Sequence, residues 1–168
     1  GLLERRHGSG VYVINNQLDY QLGKQTRFTE TLAMQGVESH SRVVRKQLRP
    51  ATQRVAQKLE LSVGHQVIWL ESVRSVDGSP VCITSHFLNA ELFSDLYETY
   101  QEGSLHAFIA KHYGIRLQRT ESLITSVLPQ KQPVLRVKSV NINERDGSPV
   151  EYVVTRFRAD RIQLRINP

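Results

Sequence analysis

Apolar and polar residues alternate along this chain with a spacing that switches repeatedly between that of a strand and that of a helix. Strand-like stretches are GVYV (10–13), SRVVRKQLRP (41–50), VIWLESVRSV (67–76), CITSHFL (82–88), IRLQRTESLITSVL (115–128), VLRVKSVNIN (134–143) and EYVVTRF (151–157). Helical stretches are TRFTETLAMQG (26–36), ATQRVAQKLEL (51–61), AELFSDLYETY (90–100) and SLHAFIAKHYG (104–114). Thr26 is placed to cap the first helix, Phe28, Leu32 and Met34 supply its apolar surface, and Gly36 ends it. In the second, Val55, Ala56 and Leu59 share one face. INNQLDYQLGKQ (14–25) is polar and reads as a linker.

An internal repeat organises the strands. VIWLESVRSVDGSPV (67–81) and VLRVKSVNINERDGSPV (134–150) share an apolar run, a Ser-Val pair and the turn Asp-Gly-Ser-Pro, and a further strand follows each. Asp-Gly between apolar runs signals a hairpin, because glycine takes positive φ without steric cost. The pattern predicts an α+β fold, an antiparallel sheet of duplicated hairpins with helices packed on it. The two copies differ in one respect. A helix and a turn precede the first hairpin, whereas only PQKQ (129–132) precedes the second. Either that copy has lost its helix or a connecting segment is absent from the sequence; the second is expected, since one long strand runs straight into another.

At 168 residues, with 39% apolar and 23% charged residues, the chain has the size and balance of one globular domain. No apolar run approaches membrane-spanning length, and no signal peptide opens the sequence. The single cysteine, Cys82, excludes an intramolecular disulfide, which fits a cytoplasmic protein. The net charge of +6 is partly local: Arg42, Arg45, Lys46, Arg49, Arg54 and Lys58 precede the next acidic residue, Glu60. Such a run is either a solvated surface or a contact for a polyanion.

Candidate chemistry comes from polar residues on apolar faces. Ile68, Leu70 and Val76 share a strand face with Ser72 and Arg74, and a guanidinium there needs an ion-pair partner or a bound anion. A three-residue loop, Asp77-Gly78-Ser79, with a glycine bulge would bring Cys82, Thr84 and His86 to Arg74's face, whereas a two-residue loop would bring Ser85. The second hairpin offers Glu151, Val153, Thr155 and Phe157 on that face. Helix starts at Thr26–Thr29 and at Ser104 add unpaired N–H groups that favour anions. His86, His106 and His112 lack metal-ligand spacing, and the chain has no P-loop, dinucleotide glycine fingerprint or G-x-S-x-G. No metal and no cofactor are therefore predicted.

In combination these stretches resemble a known family. GLLERRHGSGVYV is similar to the wing that closes the winged helix-turn-helix of GntR-superfamily transcription regulators. FTETLAMQG, VIWLESVRSVDGSPV, GSLHAFIAKHYGI and SPVEYVVTRFRADR resemble, in order and spacing, the UTRA effector-binding domain of the HutC subfamily, whose fold is related to chorismate lyase. LRPAT, GSLH and TSHFL are most similar to the repressors of phosphonate-utilisation operons. The resemblance implies a wing remnant at 1–13, with Arg5, Arg6, Gly8 and Gly10 at DNA, a linker at 14–25, and an effector-binding and dimerisation domain over 26–168. Base readout would then need a helix upstream of Gly1, so operator DNA would be bound only through that missing part.

The resemblance further implies a pocket with phosphate-type contacts at Arg27, Phe28 and Thr29, at Arg74, and at Ser104 and His106. Thr84, His86, Glu151 and Phe157 would complete its walls. Ser72 and Thr84 stand where relatives that bind sugar phosphates place an arginine and a glutamate, which suits a smaller phosphonate or phosphate-type anion. The expected protein is thus a cytoplasmic, homodimeric repressor without enzymatic activity or membrane contact. Two alternatives compete with it. One is a chorismate-lyase-like enzyme using Ser104, His106 and Glu151; the other is a dimerisation module without ligand, in which Arg74 pairs with Glu151 and no concavity remains.

Overall fold

The computed structural model describes residues 3–6, 10–13, 17–25, 28–128 and 133–166, with side chains from Gln17 onward. A hairpin of β1 (Leu3–Arg6) and β2 (Gly10–Val13) opens the chain, with Arg6 opposite Gly10. There follow β3 (Leu18–Gln21), α1 (Phe28–Met34), β4 (Ser39–Pro50), α2 (Gln53–Leu59), β5 (Gln66–Val76) and β6 (Ser79–Asn89). The chain continues through α3 (Leu96–Thr99), α4 (Leu105–Tyr113), β7 (Leu117–Val127), β8 (Val134–Asn143), β9 (Pro149–Arg158) and β10 (Ile162–Arg165). Six strands form an antiparallel sheet in the order β4-β5-β6-β9-β8-β7. The two repeated hairpins meet at its centre, where Cys82 faces Phe157 and Leu88 faces Glu151.

The repeat encodes a bulge in each hairpin as well as a turn. In the first, Val76 pairs with Ser79 around Asp77 and Gly78, both at positive φ, so the loop has two residues and not three. The register then shifts: Ser75 faces Pro80, but Arg74 faces Cys82, leaving Val81 as an extra residue. Cys82, Thr84 and His86 therefore do share Arg74's face, through the bulge and not through the longer turn. The second hairpin repeats the device, since Ile142 faces Pro149 and Asn141 faces Glu151, with Val150 extra. Val81 and Val150 are each wholly buried, so core packing holds both irregularities in place.

One face of the sheet is covered by α2. Val55, Ala56 and Leu59 pack there on Val67, Val140, Tyr152 and Val154. The opposite face carries two apolar clusters. One gathers Leu32 of α1, Tyr20 and Leu22, and Ile162 around Val76 and Phe157. The other gathers Phe93, Leu96, Tyr100, Leu105 and Ile109 over Ile68, Leu70 and Leu88. The central strands between these clusters present polar side chains.

Several expectations need correction. Within the stretch read as a linker, Leu18–Gln21 form a strand parallel to β10, with Leu18 opposite Ile162. Its Leu18, Tyr20 and Leu22 alternate at the strand period and Tyr20 and Leu22 are buried, a signal hidden by the polar residues between them. Met34 is 90% exposed, since two residues along a helix rotate it about 200° from buried Leu32. The stretch 90–100 is helical only over Leu96–Thr99, and turns bring Phe93 into the core. β7 and β8 pair as far as Val127 opposite Val134, and residues 129–132, on which the expectation of an absent connector falls, lie outside the described residues.

Candidate functional site

Between the two apolar clusters lies a cavity of about 100 Å³, large enough for a small polyatomic ion or several waters. Its sheet wall is polar: Ser72, Arg74, Thr84, His86, Ser139, Asn141 and Thr155 all border it. Thr84 donates its hydroxyl to Thr155 Oγ1 at 3.3 Å across the central strand pair. Phe28 and Thr29, at the start of α1, and Ser104 and His106, at the start of α4, form part of the opposite wall. Ser104 also caps α4, its Oγ accepting the Ala107 N–H at 3.3 Å. Tyr20 and Leu22, flanking the end of β3, close the side.

Arg74 carries a charge that no acidic group among the described residues neutralises. Its Nη1 donates to Ser39 Oγ at 3.1 Å, and its guanidinium lies over the Phe28 ring at 5.3 Å from the centroid. Among the described residues it has no carboxylate partner. Burial draws its pKa down from the usual arginine value, the tendency expected of a cation held away from water. Cys82, directly across the strand pair, does not balance it: burial pushes that thiol up to about 11, and the opposing pull of Arg74 is weaker. A partly buried guanidinium with free donors beside a polar cavity can hold an oxyanion bidentately.

Glu151 behaves differently. Its side chain is completely buried and accepts hydrogen bonds from three groups: His86 Nδ1 on Oε1, and His106 Nε2 (2.8 Å) and Asn141 Nδ2 on Oε2. Burial alone would raise the carboxyl's pKa, but the charges and hydrogen bonds of His106 and His86 outweigh it and hold the group well below the ordinary range. Glu151 was expected as a pocket wall. Instead it stands behind one, and the imidazoles of His86 and His106 border the cavity in its place. The pairing of Arg74 with Glu151 that a module without a ligand site would show does not occur.

Phe28, Thr29, Arg74, Thr84, His86, Ser104, His106 and Phe157 are thus brought together around one cavity. Arg27 and Gly8 lie outside the described residues; Arg5, Arg6 and Gly10 lie in the β1–β2 hairpin. Sequence reasoning missed Asn141, Ser139, Tyr20, Leu22, Tyr100 and Arg119. Asn141 was legible in principle as an amide in an apolar strand of the repeat, at the position matching Arg74 in the other copy. The structure also assembles what histidine spacing did not suggest. Ligand-type atoms of His86, His106 and Glu151 lie within 4.8 Å of one another, from three separate elements. Hydrogen bonding to the carboxylate already accounts for that arrangement.

The basic run 42–58 is mostly spent on the protein's own surface. Arg45 and Arg49 stack on Trp69 at 4.5 and 4.9 Å, Lys46 donates to the Tyr100 carbonyl at 2.7 Å, and Lys58 pairs with Glu121. No helix among the described residues is long and apolar enough to cross a membrane.

Comparison with known proteins matches this geometry to a family. The UTRA domain model matches residues 34–163. The chain is 33% identical over 175 residues to the probable transcriptional regulator PhnF of Escherichia coli K12, covering 98% of this chain and 73% of that one. Among solved structures, PhnF from Mycobacterium smegmatis superposes with a TM-score of 0.86 at 27% identity, covering 99% of this chain and 78% of the other. The effector domain of that same protein gives 0.81 at 26% identity, covering 89% of this chain and 98% of that domain. A sheet of duplicated hairpins, a polar cavity between its helices and these likenesses agree: the chain belongs to the UTRA domain family and is the effector-binding domain of a GntR-type transcriptional regulator.

Proposed function

We propose that the cavity senses a small oxyanion of the phosphate or phosphonate class, and that the domain acts as a homodimer controlling a DNA-binding head. The observation that carries this reading is Arg74, a partly buried guanidinium on the cavity wall with no carboxylate partner among the described residues. Serine and threonine hydroxyls and two helix starts around it are suited to the remaining oxygens of a tetrahedral anion. The likeness to PhnF proteins supports a role in phosphonate utilisation. Relatives of this family sense different ligands, so the chemistry of this cavity is the firmer guide.

Transmission to DNA runs through β3. That strand follows the β1–β2 hairpin closely, and Tyr20 and Leu22 beside it border the cavity. Arg119 anchors the segment by donating to the Tyr20 hydroxyl (3.3 Å) and the Gly23 carbonyl (3.2 Å). Ligand binding favours one placement of this strand, and with it one separation of the two heads. A differential affinity of about a hundredfold, roughly 2.7 kcal/mol, is enough to change operator occupancy. Thermal denaturation with millimolar phosphate, sulfate and methylphosphonate tests the anion site. A rise in melting temperature that is lost in Arg74→Gln is expected, and no rise with any of the three overturns the reading.

A further inference from the structure

We propose that the occupant of this cavity carries a hydrogen-bond donor, an ammonium or a hydroxyl, at the end away from its oxyanion, and that Asn141 receives it. The inference rests on the anion site proposed above and adds the identity of the ligand's other end.

The buried carboxylate dictates the argument. An ionised Glu151 can only accept, so every group that touches it must donate. Asn141 therefore presents its NH₂ to Glu151, which assigns the amide's orientation chemically and turns Oδ1 the other way. Asn141 borders the cavity whereas Glu151 does not, so the outward end of the amide is on the cavity side. That Oδ1 is buried and accepts no hydrogen bond. Among buried polar groups such an orphan is uncommon and calls for a partner.

Glu151 thus acts as a positioning residue that turns an acceptor, Asn141 Oδ1, toward the cavity.

Donors and acceptors are segregated by the sheet register. Arg74 faces Cys82, whereas His86 is four residues further along β6, about 13 Å of strand. Asn141 lies beyond it, since it faces Glu151, which faces Leu88. An anion with an alkyl tail would satisfy Arg74 and bury the Asn141 acceptor without a partner, a combination that buried sites discriminate against. A tail ending in N–H or O–H satisfies both ends.

Calorimetric titration of the protein with three phosphonates of matched length decides the matter: aminoethyl-, hydroxyethyl- and propylphosphonate, with inorganic phosphate as reference. Binding of one or both donor-bearing compounds at least about tenfold tighter than propylphosphonate is expected. The amine alone being preferred identifies an ammonium; both being preferred identifies hydrogen-bond donation in general. Asn141→Leu should abolish the preference, with Asn141→Ala as a second variant should the first not fold, and a preference that survives in the folded variant also overturns the inference. Propylphosphonate binding as tightly as the other two overturns the inference and leaves the anion site standing. No binding of phosphate or of any phosphonate removes the anion site and the inference together.

Discussion

Arg74 and Glu151 are charges that one sheet face buries for opposite purposes. Among the described residues Arg74 has no countercharge, so the protein's own stability gains little from it. Arg74→Met is expected to leave the ligand-free melting temperature unchanged or raised, and to abolish the rise that phosphate induces, both read by calorimetry. Glu151 is fully paired inside the fold, and an amide in its place keeps one accepting oxygen but loses the charge and turns an NH₂ toward a group that must donate. Glu151→Gln should cost about 3 kcal/mol at neutral pH, measured by urea denaturation. The pH dependence follows from its lowered pKa. An unfolded glutamate titrates near about 4.3. The folded group titrates below that, so its contribution is complete above the unfolded value and is lost as pH falls toward the folded one. The urea midpoint of the wild type should therefore drop below about pH 4.3, with a shallower drop in Glu151→Gln.

Hairpins and helices were legible where their signals are local. Asp-Gly-Ser-Pro marked both turns, and the apolar periods located β4 to β9, α2 and α4. The loop length in the first hairpin was not legible, because a two-residue turn with a bulge and a three-residue turn deliver the same residues to the same face. Buried valines choose between them: Val81 packs with Val76 and Phe157, Val150 with Leu88 and Leu105. Deleting Val81 removes the extra residue, leaves Ser75 opposite Pro80 and Arg74 opposite Cys82, and so keeps Cys82, Thr84 and His86 on Arg74's face while removing a buried side chain from the core. The expected result is a lower melting temperature with the phosphate-induced rise retained. Loss of the rise in a folded deletion variant would show that the bulge itself shapes the site.

Across the molecule, the cavity exists because two apolar clusters leave a polar strip between them, and β3 closes one side of it. Tyr20 packs edge-on against Phe28 at 4.7 Å and near Phe157 at 5.7 Å, so it reads the same walls that a ligand would touch. In the protein carrying its DNA-binding head, Tyr20→Leu should retain the phosphate-induced thermal rise. The same variant should weaken the ligand's effect on operator affinity from about a hundredfold to under about tenfold, as read by fluorescence anisotropy. Unchanged coupling would place transmission elsewhere.

The local pattern of this chain determined its class, its duplicated hairpins and the face on which polar chemistry gathers, because strand period and turn chemistry act over a few residues. Tertiary structure alone decided who pairs with whom. Glu151 meets His86 and His106 from 65 and 45 positions away in sequence, and not Arg74, which leaves the guanidinium available. Short-range periodicity carries no information about such partners; they are chosen by sheet order, by two bulges and by where the start of α4 comes to rest.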